Sequence, residues 1–260
     1  NGYSSSPSNT PPPHDRYRFP LATPYDNVIA SHKLLTEQFG IKKIKLVVGF
    51  SMSAQQAFHW AALYPEMVEK IAPICGSAKT SPHNWLHLEG MKLALQADEA
   101  WAGGDYDAQP EKGFKAFMTV GAGWFASQNF YRRGLHLRVG GMQFEDMQEY
   151  LDYMLVQFSA MDVNNYLCML KTWQVADVSD HPNFNKNLKK ALGSISCPAI
   201  VMPCGTDLYF PPEDNFIEAQ HIPNAEIRPY DSPWGHCAAN PGNDHGFEVE
   251  LDKGIKDLLN

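Results

Sequence analysis

A serine, Ser51, lies at the junction between a short β-branched run that ends at Gly49 and a run of small residues that begins at Ala54. A strand, a sharp turn and a helix in this order are typical of a nucleophile elbow, whose strained turn exposes the serine hydroxyl above the edge of a sheet. Strand and helix approach closely there, so small residues are needed two positions before and after the serine. Gly49 and Ser53 meet this need, although glycine is usual at the second position. The helix N-terminus directs partial positive charge to the site, which predicts the backbone N–H of Met52 as an oxyanion donor.

The same stretch allows two simpler interpretations. A Gly-x-Ser string occurs by chance in strand–helix connections, and a serine at this position can act only as a helix N-cap. The apolar strand before Ser51 and the small-residue helix after it favour a nucleophile, whose attack on a carbonyl carbon gives a covalent acyl-enzyme.

A serine hydroxyl is a weak nucleophile unless a histidine takes its proton and an acid fixes the histidine tautomer. In chains with a nucleophile elbow these residues follow in the order serine, acid, histidine. The apolar run at residues 199–203 is typical of a late strand. Asp207 lies four residues after the end of this run, where the carboxyl edge of the sheet is expected. Asp214 and Asp231 are alternative acids, although Asp214 is predicted to begin the following helix. The non-catalytic interpretation of Asp207 is a local turn.

The histidine is predicted to be His236, because it follows Gly235 in a loop between the last predicted strand and the closing helix. His245 is the nearest rival, but it is predicted at the N-terminus of that helix. The remaining histidines near the motifs precede the acid or fall on predicted helices: His32, His83, His87, His136 and His181 precede it, His59 is on the nucleophile helix and His221 on the helix after the acid.

The secondary-structure elements that must position these residues are predicted from the sequence as strands and helices that alternate along the chain. A short β-branched run predicts a strand at residues 44–48, and further strand signals are present at residues 70–75, 199–202 and 225–230. Apolar stripes of helical period predict helices at residues 25–39, 54–63 and 247–259. Strands that alternate with helices predict an α/β fold with a parallel sheet.

Residues 81–192 differ from the rest, because helical patterns such as 86–97 and 144–161 dominate and no clear strand is present. We therefore predict an α/β-hydrolase fold: a mostly parallel sheet in a core of residues 1–80 and 193–260, and an inserted helical lid of residues 81–192. The first recognisable strand leads into the nucleophile, whereas a doubly wound sheet normally has several strands before it. We therefore expect the early strands of the core to be missing from this chain.

Composition excludes several classes of function. The formal net charge of −8 argues against a nucleic-acid partner, because phosphate binding needs a basic surface. No apolar run approaches the roughly 20 residues that span a bilayer, and no basic amphipathic stretch predicts membrane association. The five cysteines form no CxxC pair, which favours reduced thiols and a cytoplasmic location. Metal-ligand and phosphate-loop motifs are missing, so we expect neither a metal nor a cofactor.

Beyond single motifs, the chain resembles the homoserine O-acetyltransferase family of α/β-hydrolase-fold proteins over nearly its whole length. The resemblance includes the opening Asn-Gly-Tyr-Ser-Ser-Ser-Pro-Ser, Phe19-Pro20, Asp26-Asn27-Val28, the elbow with Met52, Asp98-x-x-Trp101-x-Gly103-Gly104-Asp105-Tyr106, Asn164-Asn165-Tyr166-Leu167, Asp207-x-Tyr209 and Ile222-Pro223-Asn224-Ala225. It implies a Ser–Asp–His triad on Ser51, Asp207 and His236, a homodimer formed through the lid, and a second oxyanion donor upstream of residue 1.

Several positions depart from the family pattern. Lys171 stands where the family has an arginine suited to an amino-acid carboxylate, and Gln174 replaces a nearby acid. A lysine keeps the charge but loses the bidentate fork. Together with Phe50 in the elbow and Tyr209 after the acid, these residues are our candidates for substrate binding. The departures resemble a divergent, hydrolase-like branch of the family.

Three functions follow from these residues. The first is hydrolysis of a small acyl or ester substrate through acyl-Ser51, with water as the final acceptor and no cofactor. The second shares the acyl-serine step but transfers the acyl group from acyl-CoA, as co-substrate, to an alcohol. The third is a non-catalytic binding module on a hydrolase scaffold. The lid aromatics, Trp85, Trp101, Trp124, Phe125 and Trp173, are expected mainly in the core, with an acyl pocket as the alternative.

Overall fold

The computed structural model describes residues 4–260 of the chain. Its strands are β1 (Val47–Phe50), β2 (Ile71–Ile74), β3 (Arg138–Val139), β4 (Met142–Gln143), β5 (Ala199–Val201) and β6 (Ala225–Ile227). Its α-helices are α1 (Pro24–Lys33), α2 (Met52–Leu63), α3 (Pro82–Gln96), α4 (Glu111–Phe125), α5 (Gln128–Arg132), α6 (Met147–Phe158), α7 (Val163–Gln174), α8 (Leu188–Gly193), α9 (Pro212–Ala219) and α10 (His245–Leu259).

The main sheet has four parallel strands in the order β1-β2-β5-β6. The register pairs Val47 with Ile71 and Ala199 with Ala225. The two central strands, β2 and β5, are buried along their whole length. Because all four strands run in one direction, the loops that follow them lie at the same edge of the sheet. The predicted α/β fold with a parallel sheet is therefore confirmed.

Side chains that alternate along the strands build a core on each face of the sheet. On one face, Val201 of β5 packs in a cluster with Phe58 of α2 and Leu192 of α8. On the other face, Ile200 packs in a cluster with Phe247 of α10. The sheet is thus covered by helices on both sides. This cover is required because the central strands, β2 and β5, are apolar on both faces.

The helices α3, α4 and α7 form a separate apolar cluster above the carboxyl edge of the sheet. Leu95 of α3, Phe117 of α4 and Leu167 of α7 belong to this cluster, and so does Phe210 from the loop after β5. The helical layer therefore packs directly on the loop that carries Asp207. In contrast, α8 lies within the predicted lid segment but packs Leu192 into the core under the sheet.

Three predicted elements differ from the structure in detail. The first strand begins at Val47 rather than at residue 44, because Ile44 forms only an isolated bridge with Val68. The helix predicted for residues 25–39 is α1 followed by a π-helical turn, Leu34–Gln38. Residues 81–192 contain a two-residue hairpin, β3–β4, whose turn at Gly140 and Gly141 has positive φ angles that favour glycine.

The position predicted for His221 was wrong: α9 ends at Ala219, and the N–H of His221 closes a turn by donating to the carbonyl of Glu218. Within residues 4–260, no helix combines the length and the apolar character needed to cross a bilayer.

Candidate active site

The turn around Ser51 has the strained geometry that the sequence predicts. Ser51 has φ 59° and ψ −125°, a backbone conformation that residues other than glycine rarely adopt. Its N–H donates to the carbonyl of Ile74 at 3.0 Å, which ties the turn to β2. A Cβ atom on Gly49 would overlap the carbonyl of Ser53, so the close approach of β1 and α2 requires glycine at position 49. Serine at position 53 is tolerated because its side chain is exposed.

The imidazole of His236 lies between the other two predicted residues. Its Nε2 is 2.8 Å from the Ser51 hydroxyl oxygen, and its Nδ1 is 2.7 Å from Oδ2 of Asp207. A carboxylate can only accept a hydrogen bond, so Nδ1 carries the proton and Nε2 accepts the hydrogen bond from the serine hydroxyl. The three side chains thus form one continuous hydrogen-bonded chain in the order serine, histidine, aspartate.

Asp207 is held in a dry environment, with only 3% of its surface exposed. Its other carboxylate oxygen, Oδ1, accepts the backbone N–H groups of Tyr209 at 2.8 Å and Phe210 at 3.1 Å. A buried carboxylate is costly unless it is hydrogen-bonded, and here both oxygens have donors. The loop after β5 therefore supplies both the carboxylate and the N–H groups that stabilise its charge.

Three aromatic rings surround the imidazole of His236. Phe50 stacks on it with ring centroids 4.9 Å apart, Tyr209 meets it edge-on at 5.0 Å, and Phe210 is tilted against it at 5.6 Å. Only 7% of His236 is exposed. The rings fix the plane of the imidazole and exclude water from its faces.

The loop that carries His236 is anchored to the helical layer. A Cβ atom on Gly235 would lie 2.6 Å from the backbone nitrogen of Ser127, and Gly235 has a φ of 57°, so both the contact and the conformation require glycine. The hydroxyl of Ser127 donates to the carbonyl of Pro233 at 2.6 Å. The glycine before the histidine was visible in the sequence, but its contact with Ser127 was not.

Met52 begins α2 directly after Ser51. The first N–H groups of a helix have no acceptor within the helix, so the N–H of Met52 is free of intrahelical bonding. The partial positive charge of the helix terminus adds to its attraction for an anion. This geometry suits the oxyanion role predicted for this N–H.

The four candidate substrate-binding residues fall into two groups. Phe50 and Tyr209 contact the imidazole of His236, as described above. Lys171 places its ammonium nitrogen 3.4 Å from the centroid of the Tyr17 ring.

Gln174 also has protein partners. Its Nε2 donates to Glu89 at 2.8 Å, and its Oε1 accepts from Lys92 at 2.9 Å. Lys171 and Gln174 therefore bind other side chains of this protein, and their role in substrate binding stays a prediction.

A buried polar pair behind the elbow was missed by the sequence analysis. A Cβ atom on Gly76, which follows β2, would lie 2.6 Å from the carbonyl oxygen of Ser51. The carbonyl of Gly76 accepts the side-chain amide of Asn215 at 2.8 Å. Glu218, one turn further along α9, accepts the N–H of Ala78 at 2.9 Å. Together, Asn215 and Glu218 link α9, which follows Asp207, to the loop that packs behind Ser51.

No group of three or more histidine, cysteine, aspartate or glutamate side chains in residues 4–260 is arranged to hold a metal ion. The five cysteines are unpaired thiols. Burial raises the pKa of the Cys237 thiol, next to the imidazole, to about 12, so this thiol is a weak nucleophile at neutral pH.

A parallel sheet that brings a serine, an aspartate and a histidine together at its carboxyl edge, with the serine in a strained strand–helix turn, defines the α/β-hydrolase class. The sequence matches the model of the alpha/beta hydrolase fold family over residues 1–239, and the chain belongs to that family.

The chain is also similar to individual proteins of known activity within this class. The chain is 39% identical over 266 residues to an ethyl acetate hydrolase of Pseudomonas veronii, a match that covers 100% of this chain and 73% of that protein. The crystal structure of the acetyl esterase MekB superposes with a TM-score of 0.92 at 38% identity, covering 98% of this chain and 73% of that one. A homoserine O-acetyltransferase of Chlorobium chlorochromatii is 31% identical over 273 residues, covering 100% of this chain and 72% of that protein.

These findings confirm two predictions from the sequence. The chain is similar to homoserine O-acetyltransferases, and its relatives include esterases at higher identity. It is therefore an enzyme of the α/β-hydrolase fold, in the serine ester hydrolase branch.

Proposed function

We propose that this enzyme hydrolyses small, uncharged carboxylic esters through a covalent acyl-Ser51 intermediate. The observation that carries the proposal is the hydrogen-bonded chain from Ser51 through His236 to Asp207, with distances of 2.8 and 2.7 Å. The activities of similar proteins, an ethyl acetate hydrolase and an acetyl esterase, support a small ester as substrate.

In the first half of the reaction, the Ser51 oxygen attacks the ester carbonyl carbon while Nε2 of His236 takes the hydroxyl proton. The negative charge on the former carbonyl oxygen is stabilised by the N–H of Met52. His236 then gives its proton to the alkoxy oxygen, the carbon–oxygen bond breaks, and the alcohol leaves. Asp207 holds the imidazole in the required tautomer and stabilises its transient positive charge.

In the second half, a water molecule attacks the acyl carbon while His236 takes its proton. The bond to Ser51 breaks, the serine oxygen recovers a proton from His236, and the carboxylic acid leaves. Every proton moves through Nε2, so the cycle needs no cofactor.

Acyl transfer to an alcohol is the second candidate, favoured by the 31% identity to a homoserine O-acetyltransferase. It shares the first half-reaction and differs only in the final acceptor. A cytoplasmic location is a further part of this proposal, supported by the five unpaired thiols. A homodimer formed through the lid is another part, supported by the family resemblance.

The test uses labelling and turnover together. A serine-directed fluorophosphonate should label wild-type protein on the peptide containing Ser51, and Ser51→Ala should lose both the label and ethyl acetate hydrolysis. Ser159→Ala, at an exposed serine after α6, is the matched control and should behave like wild type. Acetyl-CoA consumption that requires an added alcohol, without ester hydrolysis, would favour the transferase. A wild type that is neither labelled nor active on esters would overturn the proposed acyl-Ser51 mechanism.

A further inference from the structure

A cavity of about 480 Å³ lies under the helical layer beside the candidate active site. The helices α3, α4 and α6 supply part of its wall through Met91, Met118, Ala122 and Met154. We call this space the lid cavity. Its volume falls within the range of about 300–1,000 Å³ that is typical of small-molecule sites.

The lid cavity shares its wall with the surroundings of the imidazole. Tyr209, whose ring edge meets His236 at 5.0 Å, lines the cavity. Cys237, the residue directly after His236, lines it as well. A molecule bound in the cavity therefore lies next to the side chains that enclose the reacting histidine.

The chemistry of the wall selects against charged ligands. The residues that line the cavity include aromatic rings, three methionines and the neutral amides of Gln157, Asn240 and Asn243, but no lysine, arginine, aspartate or glutamate. An ion moved into such a space would lose its hydration without gaining a counter-charge. Methionine side chains are flexible and adapt to apolar groups of different shape.

Burial shifts the pKa of one residue in the cavity wall and of one residue that packs behind the wall. Burial raises the pKa of Cys237, in the wall, to about 12. Burial also raises the pKa of Tyr131, which packs beside the wall residue Phe130, to about 12. Both shifts have the direction expected where water is excluded from the charged form.

We propose that the lid cavity binds an uncharged apolar chain of the ester, and that Ala122 limits the length of chain that the enzyme accepts. The proposal rests on the proposed ester hydrolysis and extends it from the smallest esters to esters with an alkyl chain of several carbons. Ala122 carries this role because it is a small, buried residue in the wall, with 5% of its surface exposed. A larger side chain at this position therefore occupies the space of the ligand.

The first experiment measures kcat/KM for two ester series, alkyl acetates from ethyl to octyl and ethyl alkanoates from acetate to octanoate. In at least one series, each added methylene should raise kcat/KM up to about fourfold, the equivalent of about 0.8 kcal/mol per buried methylene. The series that responds tells whether the cavity holds the alcohol or the acyl chain. A flat response in both series overturns the proposal.

The second experiment fills the cavity. Ala122→Phe should lower the ratio of octyl to ethyl kcat/KM in the responding series at least tenfold. Ala116→Phe, on the exposed face of the same helix, is the matched control and should keep the wild-type ratio. Met154→Trp fills the cavity from α6 and replaces Ala122→Phe if that variant does not fold. An unchanged ratio in a folded cavity-filling variant overturns the proposal.

A binding measurement separates this proposal from the proposed function. Calorimetric titration of 1-octanol into Ser51→Ala should show saturable binding, and the double variant with Ala122→Phe should bind at least tenfold more weakly. If wild type hydrolyses no ester but 1-octanol still binds in this way, the hydrolase proposal fails and the apolar site stands. If esters are hydrolysed but 1-octanol binding is undetectable or unaffected by Ala122→Phe, the apolar site fails alone.

Discussion

The ring of Phe50 stacks on the imidazole of His236, with ring centroids 4.9 Å apart and ring planes inclined by 25°. Phe50 is the last residue of β1, and His236 lies in the 3-10 turn Gly235–Ala239 before α10. The residue before Ser51 thus supports the imidazole that contacts the Ser51 hydroxyl.

Loss of this ring should lower turnover without removing it. Because an aromatic pair contributes about 0.5–1.5 kcal/mol beyond its area, Phe50→Ala should lower kcat by up to about tenfold. Phe50→Tyr keeps the ring and should retain most of the activity. The measurement is steady-state kinetics with a short ester, alongside thermal unfolding. Equal kcat values in wild type and a folded Phe50→Ala would show that the stacking does not matter.

The carboxylate of Asp207 should matter far more for catalysis than for folding. In Asp207→Asn, the amide oxygen can still accept the N–H groups of Tyr209 and Phe210, so the loop should keep its conformation. The amide cannot hold His236 in the required tautomer, and kcat should fall about 10⁴-fold, as in other Ser–His–Asp enzymes. Kinetics and circular dichroism of the same preparation test both expectations. A loss smaller than tenfold would contradict the assigned role.

Glu218 should make stability depend on pH. Burial raises its pKa to about 8, against the opposing effect of the N–H of Ala78, which donates to its carboxylate. The folded state therefore holds a proton that the unfolded state, with a glutamate pKa near its ordinary value, has released. The stabilisation from this proton is complete below the unfolded pKa and is lost as pH rises through the folded pKa.

Urea unfolding between pH 5 and 9 measures this effect. As pH rises towards about 8, the free energy of unfolding of wild type should fall relative to that of Glu218→Gln, by at most ~1.4 kcal/mol per pH unit. Above that pH the difference between the two proteins should stay constant. Glu213→Gln, at the exposed start of the same helix, is the control and should show no such trend. A difference for Glu218→Gln that is constant with pH would show that this carboxyl group is ionised in the folded protein.

Two glycine-to-alanine variants should have opposite effects. A Cβ atom at Gly49 would overlap the carbonyl of Ser53, so Gly49→Ala should destabilise the protein by about 3 kcal/mol or more. Gly90 lies on the exposed side of α3, and a Cβ atom added there would have no atom within 4 Å outside the backbone of its own helix. Gly90→Ala should stabilise by about 0.5–1 kcal/mol because alanine favours the helix. Urea unfolding of both variants tests the pair, and a stable Gly49→Ala would show that β1 and α2 can separate.

The sequence by itself determined the elbow and the order of the residues that follow it. The elbow is predicted by local patterns: a β-branched run, a glycine two positions before Ser51 and a helix after it. Such patterns can be recognised without knowing how the elements pack. Asp207 and His236 were predicted because each follows a recognisable strand, and the strands of a parallel sheet end at one edge. Their convergence with Ser51 is therefore a consequence of topology, which the sequence pattern already contains.

Details of element boundaries needed the tertiary structure. The run Ile-Lys-Leu-Val-Val beginning at residue 44 has the composition of a strand, but β1 begins only at Val47, where continuous pairing with β2 starts at Ile71. The β-propensity of a segment depends on its own residues, whereas the first and last residues of a strand depend on hydrogen bonds to a strand from another part of the chain.

The surroundings of the site were decided by tertiary structure alone. The stacking of Phe50 on His236, the link from Glu218 to Ala78 and the lid cavity each join residues that are far apart in sequence. Hydrophobic periodicity predicts that a side chain is buried but does not say which side chains it meets. Packing makes that choice, because it depends on the shapes of all neighbouring elements at once.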